Sequence, residues 1–287
     1  MIKQKQITTS LLTIAIFSLT IITLFSPIIS EVIGANNTQQ YFNLSLTISN
    51  SAPTIQNILA VSATPNEGTT KTVSILFNVT DANGYTDVDP TQAYANVTLS
   101  GLTVESQSCE DYSAWTTGNT RGVNCTIIMN YNYEPGKWSI SVRAPDSSAT
   151  DAVSDDGENL TYLPLYAFQL TKSSVSFSAS GAGVTDVNAS NDPQTLNNTG
   201  NGDFAKINIT GHDLSNGIDS IGSGNFTVNA TTDAKGLSVG DNVQIPVANL
   251  SRNTTQDLYI WVDVPSGISN GTYTTNSSTQ WLIEAFN

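Results

Sequence analysis

Downstream of residue 40 the chain alternates apolar and polar residues with a period of two. Phe42, Leu44, Leu46 and Ile48 fall on one side of an extended run, and so do Val73, Ile75, Phe77 and Val79. Val123, Cys125, Ile127 and Met129 repeat the pattern, followed by Trp138, Ile140 and Val142. Ala205, Ile207 and Ile209, then Leu258, Ile260, Val262 and Val264, continue it. Successive strand side chains point to opposite faces, so each run predicts a strand with one face on a core and one in water. Turn residues punctuate the runs at Pro65-Asn66-Glu67-Gly68, Asn83-Gly84, Pro135-Gly136, Asn201-Gly202, Asn216-Gly217, Pro265-Ser266-Gly267 and Asn270-Gly271. Glycine and asparagine there supply the positive φ that tight turns need. The pattern predicts an all-β chain of short strands, most simply two Greek-key sandwiches in tandem.

The beginning of the chain reads differently. Lys3 and Lys5 precede the apolar run Leu11 to Phe25, which ends at Ser26-Pro27 and a small-residue exit, Ile33-Gly34-Ala35. A charged start, an apolar centre and a small-residue exit are the parts of a secretory signal. Leu11 to Ile29 also approaches the ~20 residues of a membrane-spanning helix, so residues 1–35 are read as a signal peptide or an uncleaved signal anchor. Residues 36–50 then form an N-terminal strand and hinge, residues 51–163 a first sandwich and residues 164–287 a second. The boundaries follow Ser49-Asn50-Ser51-Ala52-Pro53 and the acidic, polar stretch Asp146 to Asn159. Tyr41 to Ile48 belongs to neither sandwich by sequence order, and a lone strand with one apolar face is not stable. It adds either to an edge of its own chain or to a neighbouring molecule, and effective concentration favours its own chain.

Composition narrows the functions. Charged residues make up 12% of the chain, about half the usual ~25%, and the net charge is −14. Phosphate backbones are repelled by such a chain, which excludes nucleic acid as a partner. The single histidine, His212, stands in Gly211-His212-Asp213-Leu214 without a nucleophile beside it, and the adjacent carboxylates Asp155 and Asp156 diverge along the backbone. No enzyme is expected.

Four kinds of candidate site remain. Cys109 and Cys125 are the only cysteines, an even count that in a secreted chain favours a disulfide; the alternative is a pair of small buried thiols. Asn-X-Ser/Thr acceptors stand at Asn36, Asn43, Asn78, Asn96, Asn124, Asn159, Asn188 and Asn197. Others follow at Asn208, Asn225, Asn229, Asn249, Asn253, Asn270 and Asn276. Asn78, Asn96, Asn124 and Asn208 fall on the polar register of their strands, which points a sugar to solvent. Asp81, Asn83, Asp87 and Asp89 crowd several oxygen ligands into nine residues, as calcium requires, although Asx-turn chemistry explains the same residues and the EF-hand order is absent. The acidic stretch Asp151, Asp155, Asp156 and Glu158 is a second source of ligands. Trp261, opposite Ile260 and Val262, is the aromatic best placed to stack on a sugar.

Several segments resemble a known group of modules. Asn50 to Ile55, FNVTDANGYTDVD and EPGKWSISVRAPD resemble the immunoglobulin-like modules, PKD-like and cadherin-like, of archaeal cell-surface and S-layer-associated proteins. DPQTLNNTGNGDFAKINITGHDL and LYIWVDVPSGISNGTYT resemble repeats of the same kind. The resemblance implies two immunoglobulin-like β-sandwich domains behind an N-terminal signal helix. It also implies a secreted, N-glycosylated surface protein, structural or adhesive, of an S-layer or filament. Its partners would be other surface proteins or copies of itself, with no cofactor unless calcium binds, and with membrane contact only through residues 1–35. The alternative is a carbohydrate-binding module protein of the cell envelope that takes glycans.

If residues 1–35 are a cleaved signal, N-terminal sequencing of the mature protein is expected to begin between Glu31 and Asn37. Recovery of Met1 or Ile2 as the terminus of membrane-bound protein would establish the anchor instead.

Overall fold

The computed structural model describes residues 41–148, 151–154, 157–240, 243–246, 249–276, 278 and 280–287. The segment 1–35 expected to be a signal, Asn36 and the Asp155-Asp156 pair lie outside them. Among the described residues no helix is long and apolar enough to cross a membrane.

The fold is all-β, and among the described residues helix is limited to single 3-10 turns. The first half holds β1 (Thr54–Gln56), β2 (Val61–Ala63), β3 (Lys71–Thr80), β4 (Tyr94–Leu99) and β5 (Leu102–Asp111). It continues with β6 (Thr120–Met129), β7 (Gly136–Pro145), β8 (Asp151–Ser154) and β9 (Asn159–Tyr162). Their order is β1-β3-β6-β5-β4-β7-β9-β2, with β8 on β7. Strand β5 turns this ribbon into a two-layered structure. Its first part, Leu102 to Glu105, pairs with β4, whereas Ser106 to Asp111 pairs with β6, and the register shifts between Ser106 and Ser108. An extra residue in one strand bends it and lets it pass from one sheet to another.

One core fills the space between the layers. The expected inward residues Val73, Ile75, Phe77 and Val79 of β3, Val123, Cys125, Ile127 and Met129 of β6, and Trp138, Ile140 and Val142 of β7 are all buried. Polar residues occupy most of the alternate positions, Leu76 and Ile128 excepted, so burial follows the two-residue period. Cys109 and Cys125 stand directly opposite on β5 and β6 and form the disulfide, with Cα atoms 4.0 Å apart. Closing a loop of this length stabilises a fold by about 3 kcal/mol, chiefly by restricting the unfolded chain.

The second half holds β10 (Phe168–Leu170), β11 (Val187–Asn188), β12 (Gln194–Asn198), β13 (Lys206–Thr210), β14 (Leu214–Ser215) and β15 (Ser220–Ile221). It ends with β16 (Phe226–Asn229), β17 (Leu237–Ser238), β18 (Val243–Gln244), β19 (Thr255–Val262) and β20 (Leu282–Phe286). One sheet runs β10-β12-β19-β16-β17 with β11 on β19, a second runs β18-β13-β20, and β14 pairs β15. A separate core of Leu196, Ile207, Ile209, Phe226, Val228, Leu258, Ile260 and Val262 lies here. Two sequence expectations are corrected. Ala205 is exposed because β13 begins only at Lys206, and Val264 lies beyond β19, half-buried.

Residues 50–287 form one compact unit despite the two cores. The segment Asn198-Thr199-Gly200-Asn201-Gly202, which reads in sequence as an exposed turn, is buried throughout and joins the halves. The Asn201 carboxamide donates to the carbonyls of Tyr133 (3.1 Å) and Leu163 (3.2 Å) and accepts from the Leu165 amide (2.6 Å). Gly68 N donates to the Thr199 carbonyl, and the Thr199 hydroxyl to Glu67. Gly200 packs so closely on the Leu165 carbonyl that a methyl group there would collide with backbone.

The N-terminal strand expected at Tyr41 to Ile48 is not formed. Residues 41–49 carry no strand and are exposed, with Phe42 at 82%, Leu44 at 86% and Leu46 at 85%. They fall outside the compact unit that begins at Asn50.

Replacing Asn201 by Ala strips three backbone groups of their partner and is expected to cost about 3 kcal/mol. Calorimetry should then resolve two unfolding transitions in place of one. A single transition at the wild-type temperature would show that the junction does not couple the cores.

Candidate metal centre

Three acidic side chains converge at the end of the first core farthest from the junction. Asp81 follows the last residue of β3, Asp87 ends a 3-10 turn (Tyr85–Asp87), and Asp146 follows the last residue of β7. One carboxylate oxygen from each lies within 4.8 Å of the others. Because β3 and β7 belong to different layers, the cluster spans both layers at this pole.

Local backbone chemistry sets each carboxylate. The Asp81 amide donates to the Asn119 carbonyl, and Asp81 Oδ1 accepts from the Asn83 amide at 2.7 Å, an Asx turn. Gly84, at φ 112°, lets the chain reverse into the 3-10 turn. Asp87 Oδ1 accepts from the Ser147 hydroxyl, and the Ser147 amide donates to the Asp87 carbonyl at 2.8 Å. Asp146 Oδ1 accepts from the Ser148 amide, and its Oδ2 from Asn50 Nδ2 at 2.6 Å.

Two carboxylate oxygens are left over. Asp81 is fully buried, and its Oδ2 has no hydrogen-bond partner; the same holds for Asp87 Oδ2. Among the described residues neither carboxylate forms an ion pair. Arg121, which approaches this loop, gives its guanidinium to Asp111 and to the carbonyls of Tyr85 and Val88. Buried carboxylate oxygens are costly unless paired or ligated. Three carboxylates offer hard oxygen donors of the kind that calcium takes.

The cluster differs in membership from the four residues that the sequence groups together. Asp81 and Asp87 do converge, but Asn83 turns away, its Oδ1 accepting from the Ser51 amide at 2.9 Å. Asp89 caps the next 3-10 turn by accepting from the Thr91 amide and hydroxyl, and these bonds hold its carboxyl below the usual range. Asp146 completes the set from 59 residues beyond Asp87, a distance in sequence that local spacing cannot reveal.

Other candidates are placed as follows. The fourteen acceptor asparagines within the described residues are all exposed or half-buried, none in a core. Trp261 lies on the outer face of β19 between Asn188 and Thr227, half-buried, with its Nε1 enclosed and unpartnered, which leaves less ring for a sugar than full exposure would. His212 is half-buried, and its carbonyl accepts from Trp281 Nε1 at 2.8 Å.

No protein-family model matches the chain, and no curated protein matches it. Among solved structures it is similar to the secreted serine protease VesC from Vibrio cholerae, at 13% identity and a TM-score of 0.21, over 78% of this chain and 49% of that one. A putative membrane anchored protein from Corynebacterium diphtheriae aligns at 10% identity and 0.20, over 82% and 54%. The C-terminal domain of the Streptococcus agalactiae AgI/II polypeptide BspA aligns at 10% and 0.19, over 75% and 91%. The chain thus spans about half the length of the first two.

Without a cation the three carboxylates repel one another, so in chelator-containing buffer Asp81→Asn is expected to raise stability by about 1 kcal/mol. A thermal melt that falls instead would mean that the cluster is stabilised by its protein contacts alone.

Proposed function

We propose that this chain is a secreted, N-glycosylated structural protein of a cell surface, with a calcium ion closing the Asp81, Asp87 and Asp146 site. The observation that carries the reading is the pairing of a cystine in the first core with acceptor asparagines that avoid both cores. Disulfides persist in oxidising compartments, and an acceptor must reach solvent to carry a sugar. The sparse charge suits the same setting, because hydroxyl and amide faces stay hydrated without attracting polyelectrolytes.

Calcium fits as a fastener rather than a catalyst. Bound to the three carboxylates, it would hold β3 and β7 together and fix Asp146, and through Asp146 the Asn50 side chain. No reaction is assigned to the chain.

Glycopeptide mapping of protein isolated from its native envelope is expected to find sugar on exposed acceptors such as Asn249, Asn253, Asn270 and Asn276. Calcium added to the chelated protein should raise the melting temperature, by about 2.7 kcal/mol of stability at one hundred times Kd, and Asp81→Asn should abolish the rise. Unmodified asparagines throughout would remove the surface-glycoprotein reading, and a melt indifferent to millimolar calcium would remove the ion.

A further inference from the structure

The cavity that opens into the second core is built from unlike parts. It holds about 560 Å³ and lies between the sheet of β12, β19 and β16 and the sheet of β13 and β20. A volume of this order suits a small molecule. Phe226, Ile260 and Ile209, which belong to the core and are buried, give it an apolar floor. Three further rings line it half-buried, those of Phe177, Tyr273 and Trp281. Each is already held. Phe226 meets Phe177 at 5.7 Å and Trp281 at 4.9 Å, edge to face, Trp281 Nε1 donates to the His212 carbonyl, and the Tyr273 hydroxyl donates to the Ser269 carbonyl. Rings ordered in advance lose little freedom when a ligand arrives.

One lining residue is out of place for a core. Gln194 takes an inward position of β12, on the same face as Leu196, and is 4% exposed. Its Nε2 donates to the Lys172 carbonyl at 2.7 Å, but its Oε1 is enclosed and has no partner among the described residues. A buried acceptor left without a donor costs roughly 1–3 kcal/mol, which an apolar residue at this position would avoid. A ligand in the cavity can bring the missing donor.

The rest of the lining selects the kind of ligand. Among the described residues no carboxylate lines the cavity, and its one cation, Lys172, gives Nζ to the carbonyls of Asn191 and Pro193. A cationic ligand would meet no counter-charge, and an anion would compete with two carbonyls for the one ammonium. The exposed rim is hydroxyl and amide instead, from Ser173, Ser174, Thr274 and Gln280. Such groups both donate and accept hydrogen bonds. A sugar ring is divided in the matching way, with hydroxyls around its edge and C–H groups on its faces that pack against aromatic rings. We infer that this cavity binds a neutral sugar, one hydroxyl donating to Gln194 Oε1 and a C–H face lying on the aromatic lining. The site is separate from Trp261 on the outer face of β19, and it shares no residue with the acidic cluster, so it stands whether or not calcium binds.

Saturation-transfer NMR on the full chain tests this, with the methyl glycosides of glucose, galactose, mannose and N-acetylglucosamine as probes. At least one of them is expected to bind with millimolar affinity. Gln194→Met keeps the bulk of the side chain but removes the acceptor, and should weaken that binding about tenfold. Because this change also removes the bond to Lys172, Ser174→Trp serves as a second variant. Residue 174 is exposed on the rim, so an indole there should block entry while the melting temperature stays that of the wild type. No transfer to any of these glycosides, or binding that survives both substitutions, would overturn the inference. Binding lost in Trp261→Ala but kept in Ser174→Trp would also overturn it and move the sugar to the outer face of β19.

Discussion

The carboxamide of Asn201 is the most buried of the polar links between the two cores, beside Thr199 to Glu67, Gln169 to Glu67, Asn132 to Asn253 and Arg252 to Glu134. It satisfies two carbonyls and one amide drawn from the β6-β7 turn and from the segment after β9, and all three belong to backbone that cannot rearrange without leaving an orphaned group. Its neighbours serve the same close approach. Gly200 and Gly202 leave no room for a side chain against Leu165 and Tyr166, and Asn198 seals the bend by donating to the carbonyls of Gly202 and Leu250. The two cores therefore count as one body for mechanical and thermodynamic purposes, although each has its own hydrophobic interior.

The alternating runs were legible because sheet burial writes itself into sequence with a period of two. Every inward residue read in β3, β6 and β7 is in the core, and the disulfide follows from two cysteines on facing registers. What escaped depends on contacts that sequence distance hides. Asp146 joins Asp81 and Asp87 only because β7 returns to the pole that β3 leaves, and nothing near Asp146 in sequence marks it as a member of the cluster. The Asn198 to Gly202 segment looks like any polar turn, since its buried state depends on partners from residues 67, 133, 163 and 165. The run from Phe42 to Ile48 shows the converse case, in which a strand-like pattern forms no strand. Alternation reports a face that needs covering, not the presence of a cover within the same chain.

Strand β5 shows how one residue decides the layering. The register shift between Ser106 and Ser108 hands the strand from β4 to β6, and the disulfide lies just beyond it at Cys109. At the bend Ser106 Oγ accepts from the Ala95 amide of β4 at 3.1 Å. A single inserted position thereby replaces a long crossover connection.

The ten-pair ladder between β3 and β6 runs the whole way from the acidic pole to the junction, from Thr80 opposite Thr120 to Lys71 opposite Met129. Tension applied between those two ends is directed along the strands, so it loads the interstrand bonds in shear. In that geometry the bonds resist together, whereas a pull across the sheet would part them one after another. The direction in which the molecule is strongest is thus the direction joining Asn50 to Asn201.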